Sequence, residues 1–146
     1  MIRSFLVAGL LTLGIGTVLA QNLDVIKERK QTMKSAGDAT GDPVKMIKGE
    51  LPFDLPKVQA SLQTYVAVAK KMPTLFPDDS KTGDDTAALP KIWENKDDVI
   101  ARYAKLGTDA TAALTTIKDE ASLKATFPNI LKNCGGCHET YRASKS

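Results

Sequence analysis

The sequence predicts an all-α protein, an antiparallel four-helix bundle. Four segments of the 146-residue chain carry apolar residues at helical spacing, and no segment of useful length alternates in the way a strand does. The connections between these segments are short or modest, which favours antiparallel neighbours. A length of 146 residues with 42% hydrophobic content fits one globular domain.

Residues 1–20 are predicted to be a cleaved signal peptide that precedes this domain. Arg3 supplies a positive start, an apolar run follows to Val18, and Ala20 closes a small-residue cleavage site. The alternative is a membrane anchor, but the run is shorter than the ~20 residues that a spanning helix needs. We therefore expect an exported domain of residues 21–146 with no membrane span in the mature chain.

The first predicted helix covers residues 22–48. Asn22 can cap its start, Pro43 predicts a kink or an interruption, and Gly49 ends it. Its inward positions are Leu23, Ile26, Met33, Val44 and Ile47.

The second predicted helix begins near Asp54, a candidate N-cap with Pro56 in the first turn, and Pro73 stops it. Its inward positions are Val58, Leu62, Tyr65, Val66, Ala69 and Met72. Turn residues through 73–89 predict a loop that crosses one end of the bundle.

The third predicted helix runs from Pro90 to about Lys118 as one element. Its inward positions are Ile92, Trp93, Val99, Ile100, Tyr103, Leu106, Ala110, Ala113, Leu114 and Ile117. The fourth runs from about Asp119 to Ala143, and Pro128 should bend it or mark the start of its regular part. Its inward positions are Leu123, Phe127, Ile130, Leu131, Cys134, Cys137, His138 and Tyr141.

The fourth segment contains Cys134-Gly135-Gly136-Cys137-His138, the C-x-x-C-H spacing for covalent attachment of a c-type haem. Each thiol can form a thioether with one haem vinyl group, and the imidazole can bind the iron. On a helix, positions 134, 137 and 138 lie on one side, so these side chains can face one flat cofactor. We predict one covalent haem c per chain, attached through Cys134 and Cys137 with His138 as axial ligand.

Cys134 and Cys137 are the only cysteines and His138 is the only histidine. A structural zinc site needs four ligands, so the chain lacks the rest of a Cys/His set. A thioredoxin-like motif belongs to a βαβ setting that this sequence does not predict. A local disulfide or two idle thiols stay open as the plain alternative.

Charge and residue content argue against several function classes. The formal net charge is +3, but the lysines are scattered, so we expect no nucleic-acid partner. The chain has no second histidine for acid–base work, no Ser/His/Asp set and no phosphate-cradling glycine loop, so we expect no enzyme. The haem motif in an exported chain predicts the periplasm.

The chain resembles the cytochrome c prime family, the class II cytochromes c. The resemblance rests on the haem motif near the C-terminus with Tyr141-Arg142 after it, and on Arg29 and Met33 in the first helix. Further similar segments are Lys48-Gly49-Glu50, Leu75-Phe76-Pro77 and Lys91-Ile92-Trp93. It implies a four-helix bundle with the haem among the helices, and often a homodimer through the first two helices.

The resemblance places Met33 on the distal face of the haem, either as a sulfur ligand of a low-spin iron or as core packing. It implies that Arg29 contacts a haem propionate, whereas the plain alternative is a solvated basic helix face. Arg142 would flank the proximal ligand or serve as a cation in the last helical turn. Met46 and Met72 are placed in the core instead.

Three function hypotheses follow. The first is a periplasmic electron carrier that serves redox partner proteins, with Met33 completing the iron ligands. The alternative is a five-coordinate, high-spin protein that binds nitric oxide or carbon monoxide. A third hypothesis is a thiol oxidoreductase that uses Cys134 and Cys137 without haem.

Overall fold

A computed structural model describes residues 22–144 and confirms the predicted all-α four-helix bundle. The helices are α1 (Leu23–Ile47), α2 (Leu55–Lys71), α3 (Lys91–Glu94), α4 (Lys96–Thr116) and α5 (Glu120–Tyr141). The bundle consists of α1, α2, α4 and α5, with α2 packed against both α1 and α4. The predicted signal peptide, residues 1–20, lies outside the described part of the chain.

Three bundle helices begin with side-chain caps. Asn22 Oδ1 accepts from the Val25 N–H at 3.2 Å, and Asp54 Oδ1 accepts from the Lys57 N–H at 3.1 Å. Asp119 forms a reciprocal capping box with Ser122. Each cap satisfies an N–H group that has no partner within the first turn. The starts predicted at Asn22 and Asp54 are therefore confirmed.

The predicted interruption of the first helix does not form. α1 continues through Pro43 to Ile47, and Pro43 is buried beside the buried Met46. The proline removes a single backbone hydrogen bond, and packing of this last part of α1 against the bundle offsets that loss.

The third predicted helix is wrong as a single element, because it breaks at Asn95. This residue has φ −133° and ψ 47°, and it separates the short α3 from α4. Its side-chain Nδ2 donates to the Lys91 carbonyl at 3.2 Å. Asparagine side chains compete in this way with the helical backbone, which favours a helix end over a helix interior.

The core lies between the helices and is almost wholly apolar. Tyr65 and Phe127 are its largest fully buried side chains, with ring centroids 6.1 Å apart. α2 and α4 approach closely at Gly107, since a Cβ atom there would lie 3.2 Å from the Ala69 Cβ. The glycine therefore allows the close helix contact that a larger residue would oppose.

Two residues predicted to face inward are exposed instead. Ile100 is 48% exposed and Leu23 is 40% exposed. Val99, the residue before Ile100, is 3% exposed and takes the core position, and Ile100 points about 100° away from it around the helix axis. Leu23 is the first residue of α1 and lies at one end of the bundle.

The predicted loop 73–89 overlaps the 3-10 helix Met72–Leu75 and contains the 3-10 helix Asp78–Ser80. Its end runs beside the last turn of α5, where the Leu89 N–H donates to the Tyr141 carbonyl at 3.0 Å. The Ala143 N–H donates in turn to the Ala87 carbonyl at 2.8 Å. The loop is thus fastened along the end of the bundle.

No helix among residues 22–144 has the length and apolar character of a membrane span.

The capping box predicts a pH effect on stability. Hydrogen bonds from Ser122 hold the pKa of Asp119 below its ordinary value of 3.8. A depressed carboxyl pKa favours the folded state above the unfolded pKa, and this advantage is lost as the pH falls through the folded pKa. Asp119→Asn keeps an acceptor but does not titrate. Urea midpoints measured at pH 7 and pH 3 should therefore fall less in this variant than in the wild type.

In the same comparison Asp24→Asn serves as control, because Asp24 is an exposed acid in the first turn of α1, and its ion pair with Lys27 is long, at 3.9 Å. Its acid sensitivity should match that of the wild type. Equal acid sensitivity of Asp119→Asn and the wild type would contradict the role of the capping box.

Candidate haem site

A cavity of about 770 Å³ opens between the four bundle helices. Ligand pockets in proteins commonly have volumes of this order. Its lining residues are Lys30, Met33, Lys34, Ala36, Gly37, Asp38, Thr40, Tyr65, Val68, Ala87, Arg102, Tyr103, Leu106, Leu131, Asn133, Cys134, Cys137, His138 and Arg142. Apolar and aromatic side chains thus form most of the wall, and the sulfur and nitrogen donors lie on it.

Cys134, Cys137 and His138 all line this cavity from the second half of α5. Each is half-buried, and both thiols are free in the described structure. Their helical spacing brings the three side chains to one side of α5, as predicted. Two thiols and an imidazole facing one large cavity are a donor set that fits a covalently attached haem.

Burial changes the proton affinities of these groups. It raises the pKa of the Cys134 and Cys137 thiols, while the nearby charge of Arg102 acts against this shift at Cys137. It lowers the pKa of His138, and the positive charge of Arg142 lowers it further. The neutral imidazole is thereby favoured, and this is the form that binds metals.

Met33 on α1 lines the same cavity and is half-buried. It also lines a smaller neighbouring cavity of about 120 Å³, together with His138. The predicted distal and proximal side chains, 105 positions apart in the numbering, are thus brought to common cavities. Of the other methionines, Met72 reaches only the smaller cavity, and Met46 is buried in the core.

Arg29 is 4% exposed, so the solvated basic face considered from the sequence is wrong for this residue. One terminal nitrogen, Nη1, donates to the Leu75 carbonyl at 2.9 Å and to Ser80 Oγ at 3.1 Å. The other, Nη2, donates to the Ser80 carbonyl at 3.1 Å and to Thr86 Oγ1 at 2.9 Å. The predicted propionate contact stays a prediction, and these bonds support a structural role.

The charge of Arg29 is accommodated without a carboxylate among these partners. Its guanidinium carbon lies 5.0 Å from the centroid of the Phe76 ring and 5.6 Å from that of Trp93. Burial lowers the pKa of Arg29 from its ordinary value. Carbonyl dipoles and aromatic faces therefore stabilise this cation, and in doing so they fasten the loop after α2 to α1.

Two polar contacts on the cavity wall were not recognised from the sequence: one between Thr40 and Tyr65, and one between Arg102 and Gly136. Thr40 Oγ1 and Tyr65 Oη lie 2.7 Å apart, and burial raises the pKa of Tyr65 to about 12. Arg102 Nη1 donates to the Gly136 carbonyl, inside the haem motif, at 3.0 Å. The spacing of Asp98 and Arg102, four residues apart on one helix, was a signal for an ion pair but not for this contact.

Comparison with known proteins identifies the family. The sequence model described as Cytochrome C' matches residues 24–142. The chain belongs to the cytochrome c' family. Membership confirms the recognised resemblance, and it confirms haem c as the cofactor that the donor set fits.

The relatives cover nearly the whole chain. Cytochrome c' of Rhodopseudomonas palustris is 52% identical over 145 residues, which is 99% of this chain and 99% of the relative. Cytochrome c-556 of Agrobacterium fabrum is 42% identical over 121 residues, 82% of each chain. A solved structure of cytochrome c' from Rhodopseudomonas palustris has a TM-score of 0.83 at 54% identity, covering 84% of this chain and 98% of that one.

The position of Arg29 predicts a large effect on stability. Arg29→Met keeps apolar bulk but leaves the Leu75 carbonyl and the Ser80 and Thr86 acceptors without their donor. Buried acceptors without partners cost about 1–3 kcal/mol each, so we expect a loss of about 3 kcal/mol in unfolding free energy. Urea unfolding of the haem-loaded protein measures it.

The matched control is Lys27→Met on the same helix. Its side chain is 63% exposed and its ion pair with Asp24 is long, at 3.9 Å. Exposed pairs contribute ~0–1 kcal/mol, so this variant should unfold close to the wild type. Equal unfolding midpoints for the two variants would contradict the structural role of Arg29.

Proposed function

We propose that this protein is a periplasmic electron carrier with one haem c, attached to Cys134 and Cys137 and ligated by His138 and Met33. The observation that carries the proposal is the meeting of Met33 and His138 at the same two cavities. A thioether is a soft axial ligand that raises the reduction potential of a haem paired with histidine. When bound, the haem supplies one-electron chemistry.

The protein's contribution is to hold the two ligands in place. Met33 lies in the middle of α1 and His138 near the end of α5, so both belong to regular helices that the bundle packs together. Side chains on packed helices are more firmly positioned than side chains on loops. Apolar side chains such as Val68 and Leu106 line the same cavity and would limit the access of water to a bound haem.

Location and partners follow from the same proposal. The predicted signal peptide, together with a motif for covalent haem attachment, supports the periplasm. We propose redox partner proteins and no substrate that is chemically transformed, because His138, the only histidine, serves the iron. The homodimer implied by the family resemblance stays a prediction.

Covalent attachment is tested by producing the chain together with a cytochrome maturation system. The wild type should keep its colour after acidic organic extraction, and the denatured pyridine complex should show two thioethers. Cys137→Ala should show one, because a single vinyl group stays unmodified. A colourless product with two free thiols would reject the carrier and favour the thiol oxidoreductase hypothesis.

The ligand role of Met33 is tested by spin state. We expect a low-spin native protein and a high-spin Met33→Ala variant, measured by optical and magnetic resonance spectroscopy. Met46→Leu is the control, because Met46 is 1% exposed in the core and does not line the cavity, so its variant should stay low-spin. A native protein that is high-spin and binds carbon monoxide readily would support the gas-binding alternative instead.

A further inference from the structure

Asp98 and Arg102 on α4 and Tyr141 at the end of α5 form a connected polar group beside the haem motif. We propose that this group, called here the α4–α5 network, positions the haem-binding turn of α5 and sets the reduction potential of the haem. The inference rests on the proposed electron-carrier function. It concerns residues outside the predicted ligand set.

Arg102 is the centre of the network. Its Nε donates to Asp98 Oδ2 at 2.7 Å, and its Nη1 donates to the Gly136 carbonyl at 3.0 Å. Its guanidinium carbon lies 5.5 Å from the centroid of the Tyr141 ring. Contacts in three directions hold one cation, so Arg102 is a fixed charge and not a freely moving surface side chain.

Tyr141 closes the network from the other end of the haem-binding turn. Its hydroxyl donates to the same oxygen, Asp98 Oδ2, and the residue is only 5% exposed. α4 therefore holds α5 at Gly136 and at Tyr141. Cys137 and His138 lie between these two anchored points, so the network limits movement of the turn that carries them.

The two charged residues of the network differ in their position relative to the cavity. Arg102 lines it, whereas Asp98 does not. Arg102 Nη1 lies 3.0 Å from the carbonyl of Gly136, the residue directly before Cys137, so its positive charge lies close to the attachment site. A positive charge favours the reduced form of a haem, because reduction removes one positive charge from the iron. Arg102 should therefore raise the potential, and Asp98 should partly cancel that effect.

The two lysines on the cavity wall are less able to act in this way, and Arg142, the other cation on the wall, is exposed at the end of α5. Lys34 is paired with Asp38, and its side chain is 73% exposed. Lys30 is paired with Asp84, with 48% of its side chain exposed. The Arg102 side chain is 36% exposed and has a backbone acceptor inside the motif itself. Solvent weakens the fields of the two lysines more strongly.

Removing either of the two charged residues provides a test, because the two variants should shift the midpoint potential in opposite directions. Arg102→Gln removes the cation, so the midpoint potential of the haem-loaded protein should shift downward. Asp98→Asn leaves the cation uncompensated but keeps an acceptor, so the potential should shift upward. Both shifts should shrink in high salt, because the network is partly exposed. Redox titration followed by absorbance measures them.

Two further variants separate charge from structure. Arg102→Lys keeps the charge without the planar guanidinium, so its potential should lie nearer the wild type than that of Arg102→Gln. Lys124→Gln is the matched control, because Lys124 pairs with Glu120 at the same spacing on α5, at 2.6 Å, and does not line the cavity. Its potential should not change.

Tyr141→Phe tests whether the network anchors the end of α5 to α4. This test does not depend on folding of the arginine variants. The variant keeps the ring but removes the donor to Asp98, so the haem-loaded protein should unfold at lower urea concentration and its potential should fall slightly.

The failures of the two proposals are distinguishable. Absence of a covalent haem in the wild type overturns the electron-carrier function. With the haem attached, shifts of equal sign in Asp98→Asn and Arg102→Gln, or unchanged potentials in both, overturn the network alone.

Discussion

One face of α5 has to serve both the core and the cofactor, and this constraint organises the bundle. Leu123, Phe127 and Ile130 are buried completely or nearly so in the first half of the helix. The same side continues through Cys137 and His138, which are half-buried because a large cavity replaces protein packing there. A one-residue shift within α5 would turn the donors away by about 100°. Core packing in the first half therefore determines where the haem ligands point.

The buried cation of Arg29 connects α1 with the loop that covers one end of the bundle. Its acceptors at Leu75, Ser80 and Thr86 all lie in this loop. The loop then pairs with the end of α5 through the Leu89–Tyr141 hydrogen bond. Because a buried charge without partners is very costly, the loop and α1 stabilise each other in one arrangement. The helix that carries Met33 and the helix that carries His138 are thereby linked through the loop.

Much of the fold could be predicted because helices leave local signals. Apolar spacing identified the bundle helices, and the caps at Asn22 and Asp54 marked two of their starts. The break at Asn95 was missed, since it depends on one side chain competing with the backbone. Ile100 was assigned to the core because periodicity cannot tell which of two adjacent apolar residues faces a neighbour.

The sequence by itself determined the haem motif, since two thioethers and a ligand must come from one short helical stretch, Cys134 to His138. It also determined the family. Only the tertiary structure decided that Met33 shares its cavities with His138 and that Arg29 bonds to the loop after α2. It likewise decided that Arg102 contacts the motif. Contacts between residues far apart in the chain depend on how the helices pack, and local spacing carries no record of that packing.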